Sequence, residues 1–116
     1  MKLRAQRLYE EASAKDGKRV LVDRLWPRGV SKEKLRVDYW AKDVAPSTEL
    51  RRWYGHEPEK WAEFKRRYFA ELDANVSGVE ALHKELGRGV TTLLFSSKEE
   101  RLNNAHALIE YLTGKG

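Results

Sequence analysis

Val90-Thr91-Thr92-Leu93-Leu94-Phe95 decides how this sequence folds. The stretch is apolar, β-branched and free of charge, which predicts a central strand packed on both faces. Working back along the chain, Arg19-Val20-Leu21-Val22 has the same character and predicts a second buried strand. Residues 2–9 alternate loosely, with Leu3, Ala5 and Tyr9 on one face, as an edge strand does. Leu35–Ala41, with Leu35, Val37 and Tyr39 on one face, is a further strand candidate. Helical signals fill the gaps. Ser31 caps a short turn over Lys32–Leu35, and Ser47 caps a helix over Thr48–Tyr54 that Gly55 stops. Pro58 opens a helix whose apolar stripe is Trp61, Phe64, Tyr68 and Leu72. Ser77-x-x-Glu80 and Ser97-x-x-Glu100 are capping boxes. The last helix carries Leu102, Ala105, Leu108, Ile109 and Leu112, and ends at Gly114.

Strands separated by helices predict an α/β fold: a compact single domain, with a small, mainly parallel sheet of three to four strands flanked by about four helices. The link between the second and third strands is short for a parallel crossover, so that pairing is the least supported.

Composition narrows the function classes. The chain has 116 residues, with 23 Lys+Arg against 18 Asp+Glu, a net charge of +5. One domain is the expected count. Four Trp and five Tyr in a 41% hydrophobic chain argue against disorder. With no Cys, a disulfide framework, a thiolate nucleophile and a Cys-based metal site are excluded. No apolar run approaches the roughly 20 residues of a membrane helix. The start, MKLRAQRLY, lacks a signal-peptide core, so a cytoplasmic protein is expected. Abundant Lys, Glu and Arg lean toward a heat-stable source. The positive surplus permits an anionic small molecule or nucleic acid as partner, and is equally what solubility requires.

In an open parallel sheet, ligands bind outside the carboxyl ends of the strands. Three polar segments fall there: Asp23-Arg24 with Arg28-Gly29; Lys42-Asp43 with Ser47; and Ser96-Ser97-Lys98, followed by Asn103-Asn104. Arg24, Arg28, Lys42 and Lys98 are the candidate anion holders, and Asp23 is the candidate base or orienting carboxylate. Ser97 and the start of the last helix would complete the cradle, with Asn104 orienting the ligand. Each has a structural alternative. Ser97 and Ser47 can serve only as helix caps, and Asp23 only as an ion-pair partner. Asn103 and Asn104 are poor helix-interior residues, which marks a hydrogen-bonding duty or a local turn. Trp26 and Trp40 flank the site as stacking platforms or pack as core, whereas Trp61 is core. Arg51-Arg52 and Lys65-Arg66-Arg67 interleave with aromatics, as a phosphate track or as solvated helix faces.

His56, His83 and His106 have no metal-ligand spacing. There is no glycine-rich dinucleotide or phosphate loop and no nucleophile elbow, so no cofactor is expected.

Val20-Leu-Val-Asp-Arg-Leu-Trp-Pro-Arg-Gly29, Trp40-Ala-Lys42, Ala45-Pro-Ser47 and Leu50-Arg-x-Trp-Tyr54 together resemble the domain of unknown function 488 family, in its short YeaO-like branch. Trp61-Ala-Glu-Phe64, Thr92-Leu-Leu-Phe-Ser-Ser-Lys98 and Asn103-Asn104-Ala105 extend the resemblance over nearly the whole chain. It implies a compact α/β fold and no particular activity. It matches the family pattern at Asp23, Arg24, Trp26, Pro27, Arg28, Gly29, Lys42, Ser47, Lys98 and Asn104, and departs from it at Glu99 and His106. Three readings follow: a small enzyme or binding protein for a phosphate-bearing anion, a nucleic-acid-associated protein, or a structural or partner-binding module. Oligomeric state is left open.

Overall fold

A computed structural model describes residues 2–114. Four strands form one parallel sheet: β1 (Lys2–Arg7), β2 (Lys18–Leu21), β3 (Tyr39–Trp40) and β4 (Val90–Phe95), in the order β1-β4-β2-β3. The helices are α1 (Lys32–Leu35), α2 (Thr48–Tyr54), α3 (Trp61–Ala74), α4 (Val76–Glu85) and α5 (Asn104–Thr113). The fold is therefore α/β, as the strand and helix signals predict. Four of the helices span more than one turn, and α1 is the extra single turn.

The last strand enters between the first two. Leu93 and Leu94 of β4 are fully buried, as are Val20 and Leu21 of β2 beside it. This explains the uninterrupted apolar character of both strands. Alternation then sorts their side chains. Val20, Val22, Leu93 and Phe95 face one side, with Phe64, Tyr68 and Leu72 of α3, Leu82 of α4 and Ala105 and Leu108 of α5. Leu21 and Leu94 face the other side, with Leu8, Leu35, Trp26, Val30, Val37 and Trp40. One face is thus covered by α2–α5. The other is covered only by the segments joining β1 to β2 and β2 to β3.

That thinner side contains a buried ion pair. Arg19 Nη1 lies 2.5 Å from Asp16 Oδ2, and Arg19 also donates to the carbonyls of Leu35 and Arg36. Arg4 reaches Asp16 from β1, and Thr92 Oγ1 donates to the Asp16 carbonyl. A charge in the middle of a buried strand is thereby satisfied, and it fastens α1 to the sheet. The link between β2 and β3 is long enough for a parallel crossover because β2 ends at Leu21 and β3 begins only at Tyr39, not Leu35.

Several boundaries differ from the sequence reading: β1 ends at Arg7, and Pro58 opens a 3-10 turn, with α3 starting at Trp61. Three further differences change an element's start. Leu35 ends α1 and Arg36 adopts a left-handed conformation (φ 51°), so the third strand is Tyr39–Trp40 rather than Leu35–Ala41. Asn75, not Ser77, caps α4 through its side chain. The Ser97 capping box does not start a helix. Asn103 caps α5, and Ser97–Leu102 is a loop. In the two cap cases an asparagine, Asn75 or Asn103, starts the helix by accepting from the amide three residues on. The reading of Ser47, Thr48–Tyr54 and Gly55 matches α2 and its caps residue for residue.

Candidate functional site

β2 and β4 are neighbours whose chains depart in opposite directions. After β2 the chain crosses the thin face, and after β4 it enters α5 on the helical face. Such a divergence leaves a crevice at the carboxyl ends of the two strands. A cleft of about 100 Å³ lies there, lined by residues of both strand ends, α2, α3 and the start of α5.

Asp23 leaves β2 into this crevice. Its Oδ2 accepts from the Ser96 amide (2.8 Å) and hydroxyl (2.7 Å), and its Oδ1 from Asn104 Nδ2 (3.1 Å). Asn104 Nδ2 also donates to the Val22 carbonyl. One carboxylate thus ties β2, β4 and α5 together. Beside it, Arg24 donates from Nε to the Pro46 carbonyl (3.2 Å) and from Nη2 to that of Ala45 (2.9 Å). This leaves part of its guanidinium fork uncommitted. Asn103 is buried, its Oδ1 accepting from the His106 amide and its Nδ2 donating to the Glu99 carbonyl.

The opposite wall comes from α2 and the turn after it. Arg51 and Tyr54 line the cleft, with Phe64 of α3 and Pro46. Gly55 and His56 both have positive φ, 55° and 59°. Two left-handed residues in succession reverse the chain and return the His56 ring to the cleft, 3.5 Å from Ser97 Oγ. A non-glycine residue in that region is uncommon and concentrates at binding sites. Tyr54 donates to the Leu102 carbonyl. Burial, with Glu99 nearby, pushes its phenol up to about 12, so it remains a neutral donor. The Leu102 and Arg101 amides hold the Glu99 carboxylate below its ordinary value. Among the described residues, Arg24, Arg51 and His56 have no acidic partner within ion-pair distance. No three His, Asp or Glu side chains converge as a metal site among those residues.

The structure brings Asp23, Arg24, Ser97, Asn103 and Asn104 into one cleft. It places the other expected members elsewhere. Arg28 is exposed on the turn before Gly29. Lys42 lies over the Trp40 ring, 5.1 Å from its centroid. Ser47 caps α2 and is gripped by Glu71, which accepts from both its amide and its hydroxyl. Lys98 lines a neighbouring depression with Glu99, which shares His56 and Ser97 with the cleft but keeps Lys98 out of it. Trp26 packs edge-on against Trp40 on the thin face, its indole donating to the Val30 carbonyl. Sequence reasoning placed Ser96 at the strand end with Ser97, and missed Arg51, Tyr54 and His56 as cleft residues. His56 could not be found from residue type, because the left-handed turn that returns it has no signature in a histidine.

The fold and cleft define a class: a small parallel α/β protein with cations at the carboxyl edge of its sheet. The chain belongs to the domain of unknown function 488 family. Residues 2–115 match the family model described as the "Inactive DUF488-N3 subclade". An uncharacterized protein of Mycobacterium bovis is 44% identical over 114 residues, covering 98% of this chain and 96% of the relative. An uncharacterized protein of Mycobacterium tuberculosis matches with the same identity and coverage. The uncharacterized protein YeaO of Escherichia coli is 39% identical over 112 residues, 97% of each chain. No solved structure matches.

Proposed function

We propose that this chain is a non-catalytic binding protein for a small phosphate-bearing anion held in the cleft between the ends of β2 and β4. The carrying observation is the cleft's charge balance. Its one carboxylate, Asp23, is committed to Ser96 and Asn104, while the guanidinium groups of Arg24 and Arg51 line it without an acidic partner within ion-pair distance among the described residues. Guanidinium groups free of ion pairs at a strand-end crevice favour an anion. The Arg24 fork can offer its remaining N–H groups and Arg51 an unengaged guanidinium. Asp23 then acts as a positioning residue rather than a base, because both of its oxygens already accept hydrogen bonds. The description of the matching subclade as inactive supports the same non-catalytic reading.

The nucleic-acid alternative has less support, because the basic helix face it needs is largely neutralised. Lys65 pairs with Glu110, Arg66 and Arg67 with Glu63, and Lys60 with Glu57. Arg67 and Lys60 also lie over the Trp53 ring, so these aromatics are already covered by the chain's own cations.

The test is a thermal-shift titration with inorganic phosphate, a nucleoside monophosphate, a sugar phosphate and a short oligonucleotide, at two salt concentrations, on wild type, Arg51→Ala and Arg28→Ala. A ligand that binds the folded state raises the melting temperature with concentration. The expected result is stabilisation by at least one compound, weakened about tenfold or more in Arg51→Ala and retained in Arg28→Ala. No shift with any of them, or an equal shift in Arg51→Ala, would overturn the reading. A shift only with oligonucleotides at low salt would replace it with the nucleic-acid alternative.

A further inference from the structure

The thin face of the sheet has a second and larger concavity, about 470 Å³, whose floor includes Leu8, Val30 and Leu35. Its two walls carry opposite charge. Glu10 and Glu11 stand on the segment after β1, and Lys34 and Arg36 on α1 and its cap. All four are exposed, and none pairs with another across the groove. Tyr9, 54% exposed, lies at the acidic wall. Both walls are fixed in place. Arg19 grips the carbonyls of Leu35 and Arg36, the Leu8 amide donates to the Phe95 carbonyl, and Glu10 accepts from the Arg7 amide.

We propose that this groove is a homodimer interface, in which the Glu10–Glu11 wall of each copy meets the Lys34–Arg36 wall of the other. A twofold interface must be self-complementary, so that each patch meets its opposite on the partner. A rigid patch with one acidic wall, one basic wall and an apolar floor meets that requirement with itself. The exposed Tyr9 supplies an aromatic anchor of the kind enriched at interfaces. The exposure of all four charges favours a protein partner over a small ligand, which needs a site that encloses most of its surface. The inference is independent of the anion-binding cleft, which opens at the carboxyl ends of the strands.

Sedimentation equilibrium on four proteins tests it: wild type, Glu10→Lys/Glu11→Lys, Lys34→Glu/Arg36→Glu, and the variant with all four changes. Wild type should reach twice the 13.5 kDa chain mass as concentration rises. Each double reversal sets like charges against each other and should raise the dissociation constant about tenfold or more. Mixing the two double variants should restore a dimer, because each now complements the other. The fourfold variant should restore it alone. Thermal melts of each variant check that it is folded. A wild type that stays monomeric to millimolar concentration overturns the proposal, as does a dimer indifferent to the reversals. A monomer stabilised by free amino acids would reassign the groove to a zwitterionic ligand.

Discussion

Asp23 illustrates how far a single residue can be read. Its place after a buried strand marked it as important, but its role depends on Ser96 and Asn104, which lie more than seventy positions away in sequence. Replacing Asp23 with Ala leaves the Ser96 amide without an acceptor and Asn104 held by the Val22 carbonyl alone. We expect a loss of about 2 kcal/mol, measured by urea unfolding. Asp16 offers a sharper case. Burial pushes its carboxyl up, but the Ser13 amide, Arg19 and Arg4 more than offset this and hold it below its ordinary value. A depressed folded-state value means stability that is fully present above about pH 4 and lost as pH falls through the folded value. Melting curves between pH 6 and 2 should therefore drop steeply at the acid end, and Asp16→Asn should flatten that limb. Arg19→Met leaves the buried Asp16 carboxylate with only the part-exposed Arg4 as its cation and should cost about 3 kcal/mol. The buried pair was illegible in the sequence, because an arginine at the start of the apolar run Val20-Leu21-Val22 looks like a solvated strand end.

At the scale of elements, legibility followed the strength of local chemistry. α2 was read to the residue because Ser47 and Gly55 bracket it with a strong cap at each end. α5 was not, because two candidate caps compete: Ser97 with its acidic follower, and Asn103. Ser97 instead accepts from the Glu99 amide in a local turn, which Glu99 extends by taking the Arg101 and Leu102 amides. Asn103 also donates to the Glu99 carbonyl, so it fastens the loop as well as starting the helix. Asn103→Ala should cost about 1–2 kcal/mol and loosen Ser97 at the cleft, visible as faster amide exchange over 97–102. The turn before β2 has a steric basis. Gly17 has φ +63°, and a Cβ there would stand 2.0 Å from the Val90 carbonyl oxygen. Gly17→Ala should destabilise by more than about 1 kcal/mol, read by denaturant midpoint.

For the molecule as a whole, the sequence supplied the parallel sheet, but the strand order lay beyond it. Apolar runs reveal that β2 and β4 are interior, yet they do not say that β4 separates β1 from β2. The cleft depends on that order, because it sets Asp23 beside Ser96. The unequal covering of the two sheet faces is also a whole-molecule property. It divides the surface into a cationic crevice at the sheet's end and a two-signed groove on its thin side. No helix among the described residues is long and apolar enough to cross a membrane.

The insertion of β4 between β1 and β2 also governs the order of assembly. β1 pairs with β4 alone, so the first strand has no neighbour until residues 90–95 have emerged. A growing chain can form α3 and α4 early, but its sheet waits for a segment synthesised near the end. Pairing across nearly ninety residues is slow, and until it occurs Leu21 and Val20 lack their central neighbour. A fragment ending at Gly89 should therefore show helical circular dichroism without a cooperative melt. The nascent protein is most exposed to aggregation just before its last strand arrives.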